Sequence, residues 1–167
     1  MSDPANRPTV DVMVSSPLWE ACPEAESILH RAIAAAAADT QARIAANSEV
    51  VVLLTDDAAI RILNRNWRGI DKPTNVLSFP AAQSATPEEP APLGDIAIAY
   101  ETLEREARAE SKSFDNHLAH LAVHGFLHLL GYDHESEEEA EVMERLECAI
   151  LSRLDIPDPY AIYESEV

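Results

Sequence analysis

The order of segments predicts an α+β fold, in one domain with a small mixed sheet of about four strands packed with helices, one of them buried. Three observations carry this. A chain of 167 residues with 47% apolar content suits one domain with a substantial core. Strand-like and helix-like segments alternate in no regular repeat. "EVVVLLT" (Glu49–Thr55) is a continuous apolar run of strand length, and "FDNHLAHLAVHGFLHLLG" is helix-length and apolar on nearly every side.

Each element has its own local reason. "TVDVMV" (Thr9–Val14) alternates weakly and reads as a strand, with Pro17 as its stop. From Pro23 to Ile44 the chain is rich in Ala, Glu and Leu, with proline only in the first turn, and reads as a helix. Glu49–Thr55 is the central strand. In "TDDAAIRILNRNW", Thr55 or Asp56 can cap, and Ile60, Leu63 and Trp67 recur at i, i+3 and i+7, so a short helix ends near Gly69. Asn75–Phe79 is a strand stopped by Pro80. Residues 81–92 carry three prolines and read as an exposed, mobile loop. Gly94–Tyr100 alternates as a strand, and "TLEREARAE" is helical. The apolar helix follows, then "SEEEAEVMERLECAILSRL", an amphipathic helix whose stripe includes Val142, Leu146, Ile150 and Leu154. The domain is expected over 9–160, with flexible ends at 1–8 and 161–167.

Net charge is −18, which by itself speaks against nucleic acid, because phosphate needs Lys and Arg. The distribution softens this. Residues 58–87 carry Arg61, Arg65, Arg68 and Lys72 against Asp71 alone, a net of +3. The acid concentrates in "HESEEEAEVMERLE", which reads as a solvated helix face. The two cysteines, Cys22 and Cys148, are far apart and form no C-x-x-C, which fits a reducing compartment. The first residues lack the basic and apolar regions of a signal peptide, and no run reaches a membrane-spanning length. These features read as a soluble cytoplasmic protein with no membrane partner.

His117, His120, His124 and His128 lie on one stripe of the apolar helix. Buried imidazoles each need a partner, so four in a row make a poor core. His124 and His128, at i and i+4, can bind one ion. A continuing helix would carry His134 away. Gly131 can take a left-handed conformation that turns the chain back and brings His134 to the same ion. Three neutral ligands leave a fourth position for water, as in catalytic sites. Zinc is the default, although imidazole also suits nickel, copper and iron. His120, one turn before His124, reads as a support behind the ligands or, like His117, as packing.

The spacing is similar to that of the metzincin proteases, whose general base is a Glu directly after the first histidine. That position is Gly125 here, so peptide hydrolysis is disfavoured. The string "HGFLHLLGYDH", preceded by "LNRNWRGIDKPTNVLSFP" and "GDIAIAY", resembles the YbeY family of bacterial metal-dependent endoribonucleases of ribosomal RNA maturation. The resemblance runs from about Val50 to Tyr160.

The resemblance implies an α+β fold with zinc at the base of a cleft, held by His124, His128 and His134, one Zn2+ per chain. It implies a role in RNA binding and catalysis for Arg68, whose guanidinium can fork onto a phosphate. Without the resemblance Arg68 reads as a surface residue. Asn75 departs from an Asp common in the family. Arg61 and Arg65 could track the RNA backbone or remain solvated, and Asp133 reads as a turn residue. The expected activity is single-strand-specific cleavage in maturation of the 3′ end of 16S rRNA and in late ribosome quality control. The partners are single-stranded RNA, small-subunit rRNA and the ribosome, without DNA. The alternative is a non-catalytic ribosome assembly factor with a structural metal site.

Overall fold

A computed structural model describes residues 8–40, 44, 48–81 and 91–160. The strands are β1 (Thr9–Val14), β2 (Ser48–Thr55), β3 (Val76–Pro80) and β4 (Ala91–Ala99), in the order β1-β2-β4-β3. β1 and β4 run parallel to β2, and β3 runs antiparallel to β4. The sheet is therefore mixed. The apolar β2 run is interior, where both faces are covered, and β3 is an edge.

Among the described residues, a 3-10 helix (Pro17–Ala21) and five α-helices complete the fold: α1 (Ala25–Asp39), α2 (Asp57–Arg68), α3 (Tyr100–Ala109), α4 (Phe114–Leu129) and α5 (Glu137–Arg153). Strand periodicity divides their work. Val50, Val52, Leu54, Ile96 and Ile98 point to one face and pack with Leu29 and Ile33 of α1 and Leu118 and Phe126 of α4. Leu53, Leu77, Phe79, Ala97 and Ala99 point to the other, where α2 delivers Ile60 and Leu63. α4 thus lies between the sheet, α1 and α5, which explains why it is apolar nearly all round.

Several boundaries differ from the sequence reading. α1 stops at Asp39, not Ile44. Asp39 pairs with Arg153 of α5 at 2.8 Å, and the Thr40 and Tyr132 hydroxyls share a hydrogen bond, so tertiary contacts override alanine propensity. β4 already begins at Ala91, paired with Ser48, so residues 91–92 are strand rather than loop. Tyr100 opens α3 instead of closing β4. β3 starts at Val76, whose N–H is capped by the Asn75 side chain. Residues 82–90, 1–7 and 161–167, expected to be a loop and flexible ends, lie outside the described residues. The inner stripe of α5 is Met143, Glu147, Ile150 and Leu151, whereas Val142 is half exposed. A carboxylate therefore occupies a core position.

Candidate metal centre

The site is built on α4. Ser113 caps its start by accepting from the Asn116 N–H. Its end is a Schellman turn. The Gly131 N–H donates to the His128 carbonyl and the Tyr132 N–H to the Leu127 carbonyl, with Gly131 at φ 100°. This backbone favours glycine, and it reverses the chain so that His134 returns to the helix face carrying His124 and His128.

The three rings converge. His124–His128, His128–His134 and His124–His134 ring centroids lie 4.6, 5.0 and 5.7 Å apart. One nitrogen from each ring falls within 4.8 Å of the others. The Nε2 atoms of His124 and His128 face each other at 3.1 Å. In a tetrahedron with ligand bonds of 2.0–2.1 Å, ligand nitrogens stand about 3.3 Å apart, so the donor set fits a zinc-like ion.

Further contacts stand behind the rings. Glu147 is 1% exposed, and its Oε2 accepts from His120 Nε2 at 2.8 Å and His124 Nδ1 at 3.3 Å. The Tyr160 hydroxyl donates to the same carboxylate at 3.2 Å. Burial alone would raise the Glu147 carboxyl, but the hydrogen bonds from His120 and His124 outweigh it and hold it down to about 2. Burial pushes the His128 imidazole below its ordinary value, and His124 and His134 push it further, which favours the neutral form that metal ligation requires. Further along the stripe, buried His117 meets Glu106 at 2.8 Å, and the Asn75 amide donates to the same carboxylate at 3.0 Å. The His117 and His120 rings are each held by a carboxylate, Glu106 and Glu147.

The three histidines open into a cleft of about 960 Å³, which Asn75, Ser78, Glu106, Asp133 and Tyr160 also line. Arg68, the last residue of α2, lines this cleft too, although its helix covers the opposite face of the sheet. Arg61 and Arg65 do not line it. Arg61 makes a forked pair with Asp71 at 2.8 and 3.2 Å, and Arg65 is exposed. Trp67, beside Arg68, is 71% exposed, and its ring leans on Phe79 with centroids 5.6 Å apart.

Gly125 holds the place of a protease base. A Cβ built there would meet Ile96 at 3.0 Å, Ser78 at 3.1 Å and Val76 at 3.3 Å. The position faces the sheet, and there is no room for a glutamate.

A family model described as Endoribonuclease YbeY matches residues 20–155. The chain belongs to the YbeY family. The match takes in Arg68, the three convergent histidines and Glu147. Curated relatives carry the same description. One from Bradyrhizobium sp. strain BTAi1 is 60% identical, covering 92% of this chain and 93% of its own. One from Rhodopseudomonas palustris strain BisA53 is 61% identical, covering 92% and 91%. A solution structure from Thermotoga maritima aligns over 88% of this chain and 92% of its own at 26% identity, with a TM-score of 0.48.

Glu147, Glu106 and Tyr160 escaped the sequence reading. Glu147 had a signal: it interrupts the apolar series Met143, Ile150, Leu154 at helical spacing, a costly place for a carboxylate without a partner. The surrounding acidic run hid it.

Proposed function

We propose that the chain is a zinc-dependent, single-strand-specific endoribonuclease that acts in the cytoplasm on small-subunit rRNA. Its work is maturation of the 16S 3′ end and late ribosome quality control, carried by one domain over 9–160. The observation that carries this reading is the shared cleft: three convergent imidazoles and a guanidinium that pairs with no carboxylate among the described residues. The family name and the chemistry of that cleft point the same way.

The roles follow from the residues. His124, His128 and His134 hold the ion. A divalent cation supplies positive charge to a phosphodiester oxygen and acidifies water. Arg68 binds the phosphate with two parallel N–H donors and stabilises charge that builds on it during cleavage. Arg65, Arg68 and Lys72 form no ion pair among the described residues, so they are available to a polyanion. Trp67 offers an open indole face beside them, on which an unpaired base can stack. A duplex buries its base faces, which supports the single-strand preference. Elsewhere the acidic surface repels RNA and leaves this rim as the entry. No helix among the described residues is long and apolar enough to cross a membrane.

The test is cleavage of single-stranded and duplex RNA, and of assembled small subunits, by zinc-loaded protein. Cuts confined to single-stranded RNA and to the 3′ region of the subunit RNA are expected. Metal-loaded protein that cleaves none of these would leave the assembly-factor role with a structural metal.

A further inference from the structure

Glu147 poses a physical problem. It is an ionised carboxylate with 1% exposure, on a helix whose inner stripe is otherwise apolar. Burying such a charge is expensive, and its partners are two imidazoles and a phenol rather than a Lys or Arg. As an isolated packing element the arrangement makes no sense, since an apolar side chain of that volume would stabilise the fold more.

The geometry gives it a use. His124 presents Nδ1 to Glu147 and Nε2 to His128. A carboxylate only accepts, so Nδ1 carries the proton and the Nε2 lone pair points into the cluster with His128 and His134. Three neutral histidines bring no charge to a divalent cation. Glu147 supplies a negative charge one imidazole away. We propose that Glu147 is the positioning residue of this metal centre, fixing the tautomer and ring angle of His124 and raising its basicity towards the ion. The inference rests on the metal-site reading above.

His120 and Tyr160 hold the carboxylate in turn. His120 donates to the oxygen that receives His124, and the Tyr160 ring stands edge-on to His120 with centroids 5.8 Å apart. Tyr160 reaches inward because Asp158 accepts from its backbone N–H at 2.8 Å and from the Cys148 thiol at 3.0 Å. The segment after α5 is thereby tied to a ligand of the ion. Its truncation before Tyr160 acts on metal binding, not on the cleft opening alone.

Two readouts test this on the full chain. The first is the zinc dissociation constant by chelator competition for wild type, Glu147→Gln and Tyr160→Phe. Glu147→Gln keeps the volume and an acceptor but removes the charge, and weaker binding by roughly 10–100-fold is expected. Tyr160→Phe keeps the ring contact and loses one hydroxyl, for a weakening of roughly 3–10-fold. Glu147→Asp recovers part of the loss. The second readout is the His124 tautomer by nitrogen NMR in the zinc-free wild type, which needs no metal or activity. A proton on Nδ1 is expected. Unchanged zinc affinity in Glu147→Gln, or a His124 proton on Nε2, overturns the proposal. If Glu147 is purely structural, Glu147→Gln lowers thermal stability and leaves zinc affinity unmoved, which also overturns the proposal. A wild type that binds no zinc but shows the Nδ1 proton would sink the metal-site reading, and the positioning role with it, while a tautomer failure beside normal zinc binding would sink the positioning role alone.

Discussion

Arg68 shares a cleft with three histidines, and neither Arg61 nor Arg65 does. Replacing Arg68 by Ala is expected to lower RNA cleavage by ~10²-fold or more, the scale of losing one charge-stabilising donor, with zinc content unchanged. Lys should rescue in part, because an ammonium cannot fork onto two oxygens. Steady-state cleavage of a labelled oligonucleotide measures both, and wild-type rates for Arg68→Ala would reduce it to a surface residue. His128→Ala should lose zinc and cleavage together, which metal analysis reads directly. The convergence of the three histidines was legible because their spacing puts two on one helix face and Gly131 supplies the turn that returns the third. Glu147 was not, because seven glutamates between 135 and 147 look alike until a helix has neighbours. That Arg61 is engaged by Asp71, ten residues on, was also invisible, since pairing across a turn depends on the turn's path.

At the scale of elements, α4 depends on two glycines for opposite reasons. Gly131 has open space around it but a φ of 100°, so its burden is conformational. Gly131→Ala should cost about 1–2 kcal/mol of stability and weaken zinc binding by displacing His134. Thermal unfolding of the zinc-free protein separates the two effects. Gly125 is the steric case, because an added methyl meets Ile96, Ser78 and Val76 at 3.0–3.3 Å. Gly125→Ala should cost about 1–3 kcal/mol by pushing α4 off the sheet. An unchanged melting temperature would mean that the helix shifts freely. Element types were readable from periodicity, since β2 and α4 show their burial as unbroken apolar runs. Their ends were not. Asp39 and Ala91 owe their states to Arg153 and to pairing with β2, neither of which is local in sequence. The α5 stripe was misplaced by one residue at Val142, since Val142 and Met143 are equally apolar and only packing against α1 and α4 chooses between them.

For the whole molecule, acid should act through the buried carboxylate. The Glu147 carboxyl is held at about 2 in the folded chain, against an ordinary value near 4.3. Its stabilising contribution is therefore complete above the ordinary value and is lost as pH falls from about 4.3 towards 2. Urea unfolding of the zinc-free protein should show wild type losing its advantage over Glu147→Gln through that window. The charge pattern makes a second prediction. Arg65, Arg68 and Lys72, which form no ion pair among the described residues, should give single-stranded RNA binding on a chain of −18 a shallow salt dependence, with log affinity falling by about 2 per decade of salt. A much steeper slope would mean that a larger basic surface holds the RNA. The most direct test of a metal-dependent nuclease on this fold is one titration: cleavage of a labelled single-stranded RNA by purified protein as zinc is removed by chelator and then returned. Cleavage that vanishes as the ion leaves and recovers at one zinc per chain is the predicted result. Cleavage that continues undiminished after the ion is stripped would contradict it.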